Sequence, residues 1–496
     1  LKTAIVIGSG FAGLSAASFL ARDGWQVTIL EKHDQPGGRA RRMQAAGFSF
    51  DMGPSWYWMP DVFERYFQQF GKSAASYYSL ERLDPSYRVY WPHTQWDVPA
   101  NYEDLKALFN QIEPGAGAQL DVVMAEAAYK YQVGINKLVF KPGQSLLEFA
   151  DADLIKGLFK LDVFTSIKAH FAKHFKHSQL RELMEFPVLF LGALPQDTPA
   201  LYSLMNYADI KGGTWFPQGG MHAVVQGMHA LAVELGVKFI YGADAQRINI
   251  QQGRASSVSV LLDGKKINFD ADVVVSGADY HFTETQLLEP LYRNYSPKYW
   301  DARKMAPSSL LYYVGLNKKI EGLQHHSLFF DVPFAPHADD IYKTPQWPAE
   351  PLFYVSATSV TDASQAPEGG ENLFFLIPVA AGLGGDTEAL RSEYFQKIVA
   401  RFEARVGASI TNNISFYKSY GGSNFMADYN AFKGNAYGLA NTLLQTAHLK
   451  PNCRNKKVDN LFYTGQLTVP GPGVPPSLIS GEVVATLIKK LFANGL

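Results

Sequence analysis

Residues 4–31 follow a strand–turn–helix–strand pattern that constrains the whole fold. Ala4 to Ile7 is a short apolar run suited to a strand buried on both faces. It leads into Gly8-Ser9-Gly10-Phe11-Ala12-Gly13, then into an Ala- and Leu-rich segment reaching Arg22. A second strand-like run, Gln26 to Leu30, stops at Glu31, 18 residues beyond Gly13. The glycines have separate tasks. Gly8 permits the tight turn, Gly10 lets backbone approach a pyrophosphate, and Gly13 lets helix and strand pack closely. Glu31 is placed to hydrogen-bond ribose hydroxyls. The expectation is a dinucleotide-binding unit with Gly8, Ser9, Gly10, Phe11, Ala12, Gly13, Glu31 and Lys32 around its ligand. Arg39, in Gly37-Gly38-Arg39, is placed to neutralise phosphate charge.

The far end of the chain carries a second rigid turn. "TGQLTVPGPGVPPSLISG" sets a dense Pro/Gly run, Pro470 to Pro476, before an apolar helix expected over about Ser477 to Leu491. Such a loop fixes a backbone path and removes side-chain bulk. The helix behind it offers free N–H groups and a positive dipole end to a ligand.

Bulk properties exclude several classes. A net charge of −1 gives no basic field for nucleic acid. The single cysteine, Cys453, forms no internal disulfide and fits a reducing compartment. The longest apolar run, Pro187 to Pro195, is too short to span a bilayer. A strand pattern begins at Lys2 without a charged-then-apolar leader. The expectation is a cytoplasmic protein, at most peripherally attached to a membrane. With 496 residues there is room for two or three domains.

Two apolar patterns remain open. Met59, Val62, Phe63, Tyr66, Phe67 and Phe70 form one helix face, suited to core packing or to lining a lipid tunnel. Lys156 to Arg181 mixes Leu158, Phe159, Phe164, Ile167, Phe171 and Phe175 with six cations and reads as one basic amphipathic helix. It suits a membrane interface or a solvated lid. His170, His174 and His177 share that helix, but no carboxylate pattern beside them supports a metal, and none is expected.

Beyond these readings, the sequence resembles the flavin-oxidase superfamily in "EKHDQPGGRARR" and "FSFDMGPSW". Its closing "NLFYTGQLTVPGPGVPPSLISG" resembles the carotenoid-desaturase branch, where this segment lies against the flavin. "DMGPSWYWMPDVFERYFQQFGK" and "LMEFPVLFLGALPQDTPALYSLMNYADI" look like bacterial phytoene desaturases of the lycopene-forming kind. The resemblance covers nearly the whole chain. It implies an α/β (α+β mixed) fold: a Rossmann-like FAD-binding domain of the flavin amine oxidase superfamily, with a β-sheet substrate domain and a helical membrane-facing subdomain. The expected divisions are 1–75, 211–280 and 441–496 for FAD, 76–210 for the helical part and 281–440 for the sheet. FAD contacts would add Gly38, Arg39, Gly53, Pro54, Ser55, Ala245, Gly465 and Pro475. Two departures stand out. Ala245 replaces the usual Val of an adenine-side pattern, and Val469 replaces a His carried by many relatives.

The activity implied is repeated desaturation of a carotenoid precursor, phytoene to lycopene, by hydride transfer to flavin N5. The substrate would be collected from the inner face of the cell membrane, and oxygen or a quinone would be the final acceptor. Alternatives in the same class are a hydroxycarotenoid 3,4-desaturase, a dehydrosqualene desaturase and a carotenoid isomerase or saturase. From another class comes a flavin-free prenyl-lipid carrier of the GDP-dissociation-inhibitor type, against which the intact glycine and Arg39 set argues. An amine oxidase is a third option, but Cys453 lies outside any flavin-linking motif. Glu148, in "SLLEF", is the one acid/base candidate; Ser145 and Glu148 also form a capping-box pattern.

Overall fold

Five short strands from three distant parts of the chain make one parallel sheet. The computed structural model describes residues 2–145, 148 and 161–495. The sheet order is Leu461–Tyr463, Val273–Ser276, Thr3–Ile7, Gln26–Leu30 and Lys238–Ile240. One row across it runs Phe462, Val275, Val6, Ile29, Phe239. Strands covered on both faces need near-continuous apolar side chains, and Val273–Ser276 is buried at every residue. Side chains pin the margins. Thr3 N donates to Asp272 Oδ2 at 2.7 Å. Buried Asn460 accepts from Ala255 N at 2.7 Å and donates to the carbonyls of Ala255 and Asp272, both at 2.8 Å.

The opening helix, Phe11–Arg22, packs directly on the closing helix, Val474–Ala493. The closing helix begins three residues before the sequence expectation. Pro475 and Pro476 are accommodated because the first turn makes no demand on their missing N–H groups. At Gly481 the two backbones nearly touch. A Cβ there would lie 2.5 Å from Ala12 O and 2.6 Å from Ala16 N. Ser15 Oγ donates to Leu478 O at 2.7 Å across the same seam. The aromatic face of Pro60–Gln68 closes the other side of the opening helix. Val62, Phe63, Tyr66 and Phe67 are buried, Phe19 meets Tyr66 at 5.9 Å, and Tyr66 Oη donates to Ser18 Oγ at 2.9 Å. This face is core; only Met59 at its head reaches a cavity.

A seven-stranded sheet stands beside this unit, in the order 414–420, 308–316, 371–379, 353–356, 326–329, 87–90, 95–98. Its last two strands come from the stretch read as helical from sequence. They join by parallel pairing of Ser327–Phe329 with Arg88–Tyr90. Alternation divides its faces. Leu310 and Ile377 pair and pack under Ile398 and Phe402 of helix Glu388–Val406. Their neighbours Leu311 and Leu376 pair and face the main cavity.

The described part of the basic segment is not one helix. Ile167–His174 ends at extended Phe175, and Ser178–Glu185 begins after it. The break is held by Glu113, whose Oε2 accepts from Lys176 N at 2.9 Å and from His177 N at 2.7 Å. Ile167, Phe171 and Phe175 are buried, whereas Phe164 is 81% exposed. Lys156, Leu158, Phe159 and Lys160 lie outside the described residues. Among the described residues no helix is long and apolar enough to cross a membrane.

The helix seam makes a direct prediction. Gly481→Val forces a side chain into backbone atoms that have nowhere to retreat. It is expected to destabilise the protein by about 1–3 kcal/mol or more, read as a lower urea midpoint. An unchanged midpoint would mean that the helices do not meet at Gly481.

Candidate functional site

A cavity of about 380 Å³ opens at the C-terminal ends of the parallel strands, where such folds hold ligands. Ile7, Leu30, Ala243, Gly277 and Thr464, each at or just past a strand end, line it. Both helix starts face it, through Phe11 to Gly13 and through Val474 to Ser477. Neither start has a side-chain cap, but the closing helix offers the Val474 N–H alone, because Pro475 and Pro476 have none and Ser477 N donates to Gly473 O at 3.0 Å. Gly8, Ser9, Gly10, Phe11, Ala12, Gly13, Glu31, Lys32, Gly38, Arg39, Gly53, Pro54, Ser55, Ala245, Gly465 and Pro475 all line this cavity.

The glycine turn is fixed from within. Gly13 cannot be larger, because a Cβ would lie 2.0 Å from Gly8 O. Glu31 Oε2 accepts from Ser9 N at 2.8 Å and from Ser9 Oγ at 2.5 Å, while Oε1 accepts from His33 N at 2.9 Å. Buried Glu31 thus ties the glycine turn to the end of the second strand. Arg39 is held over the ring of Tyr429 at 5.2 Å, and its Nη2 donates to Asn435 O at 3.2 Å. Its Nε is shielded from solvent and has no partner. Burial pushes the guanidinium pKa down, and Asp279 pulls it back up. An unsatisfied cation N–H beside two uncapped helix starts fits an anionic diphosphate.

The cavity has two chemically different parts. Glu31, Lys32, His33, Arg39, Asp244, Asp279 and Asp428 cluster around the glycine turn and the strand ends. The remaining wall, including Trp56, Trp58, Met59, Met205, Leu311, Leu376 and Tyr437, carries no formal charge. Trp56 stacks on His326 at 4.1 Å, and His326 Nδ1 pairs with Tyr354 Oη at 2.6 Å. Burial holds His326 well below the usual imidazole range, so this ring is neutral.

Glu148 is not among the residues lining the cavity. Its carboxylate accepts from Gly143 N at 2.8 Å and Gln144 N at 3.0 Å, and its carbonyl accepts from Lys141 Nζ. Cys453 is buried outside the lining, its Sγ 3.2 Å from Thr468 Oγ1. The histidines acquire a carboxylate that the local sequence does not show. Glu126, His170 and His174 place ligand atoms within 4.8 Å of one another, without His177. Burial brings the His170 pKa to about 4, and Lys130 and Lys173 press the same way, opposing a further cation there. Asn435, Tyr429, Tyr354 and Tyr437 complete the site but stand in no motif.

Comparisons agree with this architecture. Residues 11–489 match the family described as flavin containing amine oxidoreductase. A carotenoid 3,4-desaturase of Haloarcula japonica is 41% identical over 97% of this chain and 96% of its own. A zeta-carotene-forming phytoene desaturase of Myxococcus xanthus is 32% identical over 97% and 92%. A lycopene-forming phytoene desaturase of a Paracoccus species is 30% identical over 99% and 98%. Among solved structures, an oxidoreductase from Methanosarcina mazei aligns with a TM-score of 0.64 at 14% identity, covering 98% of this chain and all of the other. A RAB GDI from Plasmodium falciparum aligns at a TM-score of 0.55 with 10% identity, covering 99% of this chain and 98% of the other. With the family match spanning nearly the whole sequence, the chain belongs to the flavin-containing amine oxidoreductases and, within them, to the FAD-dependent carotenoid desaturases.

Proposed function

We propose that the protein removes hydrogen from neighbouring carbons of a long isoprenoid polyene. The observation that carries this reading is the divided cavity: a charged cradle continuous with an uncharged, aromatic wall. The cradle residues Gly8 to Gly13, Glu31 and Arg39 would hold the FAD dinucleotide. Gly465 and the Pro472–Pro476 turn would bring backbone, free of bulk, against the ring system. Bound FAD supplies the two-electron acceptor for a hydride. The chain itself holds the substrate edge against that acceptor and keeps water out. Met59, Leu311 and Leu376 offer only apolar surface, which suits a hydrocarbon with no polar group to grip.

Two substrates fit this wall. Phytoene, desaturated repeatedly to lycopene, needs nothing but apolar contact. A 3,4-desaturation is the second reading, favoured by the 41% identity to the Haloarcula protein of that name. The hydrocarbon would enter from a membrane surface. Exposed Phe164, with the exposed Lys168, Lys173 and Lys176 that follow it in the chain, is the place we assign to that contact.

Arg39→Ala is expected to weaken FAD retention about 10–100-fold, the loss of a charge-assisted contact, read from flavin absorbance after gel filtration. Full retention would remove Arg39 from the cradle. Glu148→Gln is expected to keep both flavin and turnover, because the carboxylate serves its own loop. Lost turnover with flavin retained would restore it as an acid/base group. Phe164→Glu should reduce co-sedimentation with anionic vesicles; unchanged binding would move the contact elsewhere. The reading as a whole is tested with liposomes loaded with phytoene or lycopene, protein and FAD. A red-shifted polyene spectrum supports it, and unchanged spectra with both substrates contradict it.

A further inference from the structure

Helix Ile167–His174 packs on helix Ala116–Val133, and the contact brings one carboxylate to two imidazoles. His170 and His174 are four residues apart and so share one face of their helix. Glu126 meets them from the other helix, and the three ligand atoms lie within 4.8 Å of one another. None of the three residues lines the main cavity. A tetrahedral zinc ion with bonds of about 2.0–2.1 Å sets its ligand atoms roughly 3.3–3.4 Å apart. Glu126 Oε2 and His170 Nε2 stand at 3.7 Å, too far for a hydrogen bond and near that span.

Both rings are presented from behind. His174 Nδ1 pairs with Gln119 Oε1 at 3.0 Å, which leaves Nε2 for a ligand. His170 Nδ1 faces Asp162 Oδ2 at 3.9 Å. A polar partner on the second ring nitrogen is the usual support of a metal-bound histidine. His170 is 2% exposed, and its Nε2 is shielded from solvent with no hydrogen-bond partner among the described residues. Buried polar atoms are rarely left so, and this one points at the Glu126 carboxylate. The Glu126 side chain is 43% exposed, so an ion has a way in from solvent.

Charge around the site opposes a proton more than a metal. Burial and the positive charge of Lys130 and Lys173 keep His170 neutral, which leaves its lone pair free, as a metal requires. Lys130 is itself engaged, donating to Asp162 Oδ2 at 3.2 Å, Ala200 O at 3.2 Å and Ser203 Oγ at 3.3 Å. Lys173 is exposed, where solvent and salt screen it. A divalent ion also gathers the Glu126 carboxylate and a second imidazole, which together offset the repulsion. Two imidazoles and one carboxylate suit zinc and its neighbours rather than magnesium or calcium, which prefer oxygen alone.

We propose that Glu126, His170 and His174 bind one divalent transition-metal ion of the zinc class, with water in the fourth position, and that this ion staples helix Ile167–His174 to helix Ala116–Val133. The inference is independent of the desaturase reading.

The test titrates Zn2+, and Co2+ as its spectroscopic substitute, into the FAD-loaded full chain, free of any polyhistidine tag and treated beforehand with chelator. The wild type should bind one ion per chain, show the intense visible bands of four-coordinate Co2+, and gain a higher urea midpoint with Zn2+. Mg2+ should do none of these. Glu126→Gln and His174→Gln should each weaken binding about tenfold or more, since loss of even an outer partner does as much. Flavin content and the metal-free midpoint should stay unchanged in at least one of the two. Failure of the wild type to bind either ion overturns the proposal. So does equal affinity in the wild type and both variants, the result expected of an adventitious ion held by other surface groups.

Discussion

The approach of two backbones at Gly481 governs the rest of the molecule. A side chain there would meet Ala12 O and Ala16 N, so only glycine lets the closing helix settle on the opening one. That contact brings two helix starts, separated by most of the chain, to the edge of one parallel sheet. Their positive dipole ends then act on the same space, and neither is quenched by a capping side chain. The buried, partly unsatisfied guanidinium of Arg39 adds to that field. A dinucleotide diphosphate is the ligand whose charge answers all three.

Polarity is segregated by the strand period. Along the seven-stranded sheet, successive residues point to opposite faces. Leu310 and Ile377 therefore fill the core under the Glu388–Val406 helix, while Leu311 and Leu376 paper the cavity wall. The same alternation keeps charge away from the substrate side without any special device. His326 and Tyr354 on that side hydrogen-bond each other, and burial keeps the imidazole neutral.

The glycine turn at the cavity was legible in the sequence because its geometry is local. Gly8, Gly10, Gly13 and Glu31 lie within one βαβ unit, and the Pro470–Pro476 run announces its own rigidity. Features made by tertiary contact were not legible. Glu113 breaks the basic helix from 63 positions upstream of Lys176, and nothing near Phe175 signals it. Strands 87–90 and 95–98 pair with a sheet whose other members lie beyond residue 300. Glu126 joins His170 and His174 only through helix packing. Tyr354 and Asn435 are ordinary residues until the fold gives them neighbours.

The central claim is that one cavity holds FAD at its charged end and a polyene at its apolar end. Anaerobic mixing of the FAD-loaded protein with a single equivalent of phytoene or lycopene tests it most directly. The account predicts bleaching of the oxidised flavin band together with a matching rise of a longer-wavelength polyene band with at least one of the two. A flavin that stays oxidised with both, or that is bleached by simple amines and not by polyenes, would contradict it.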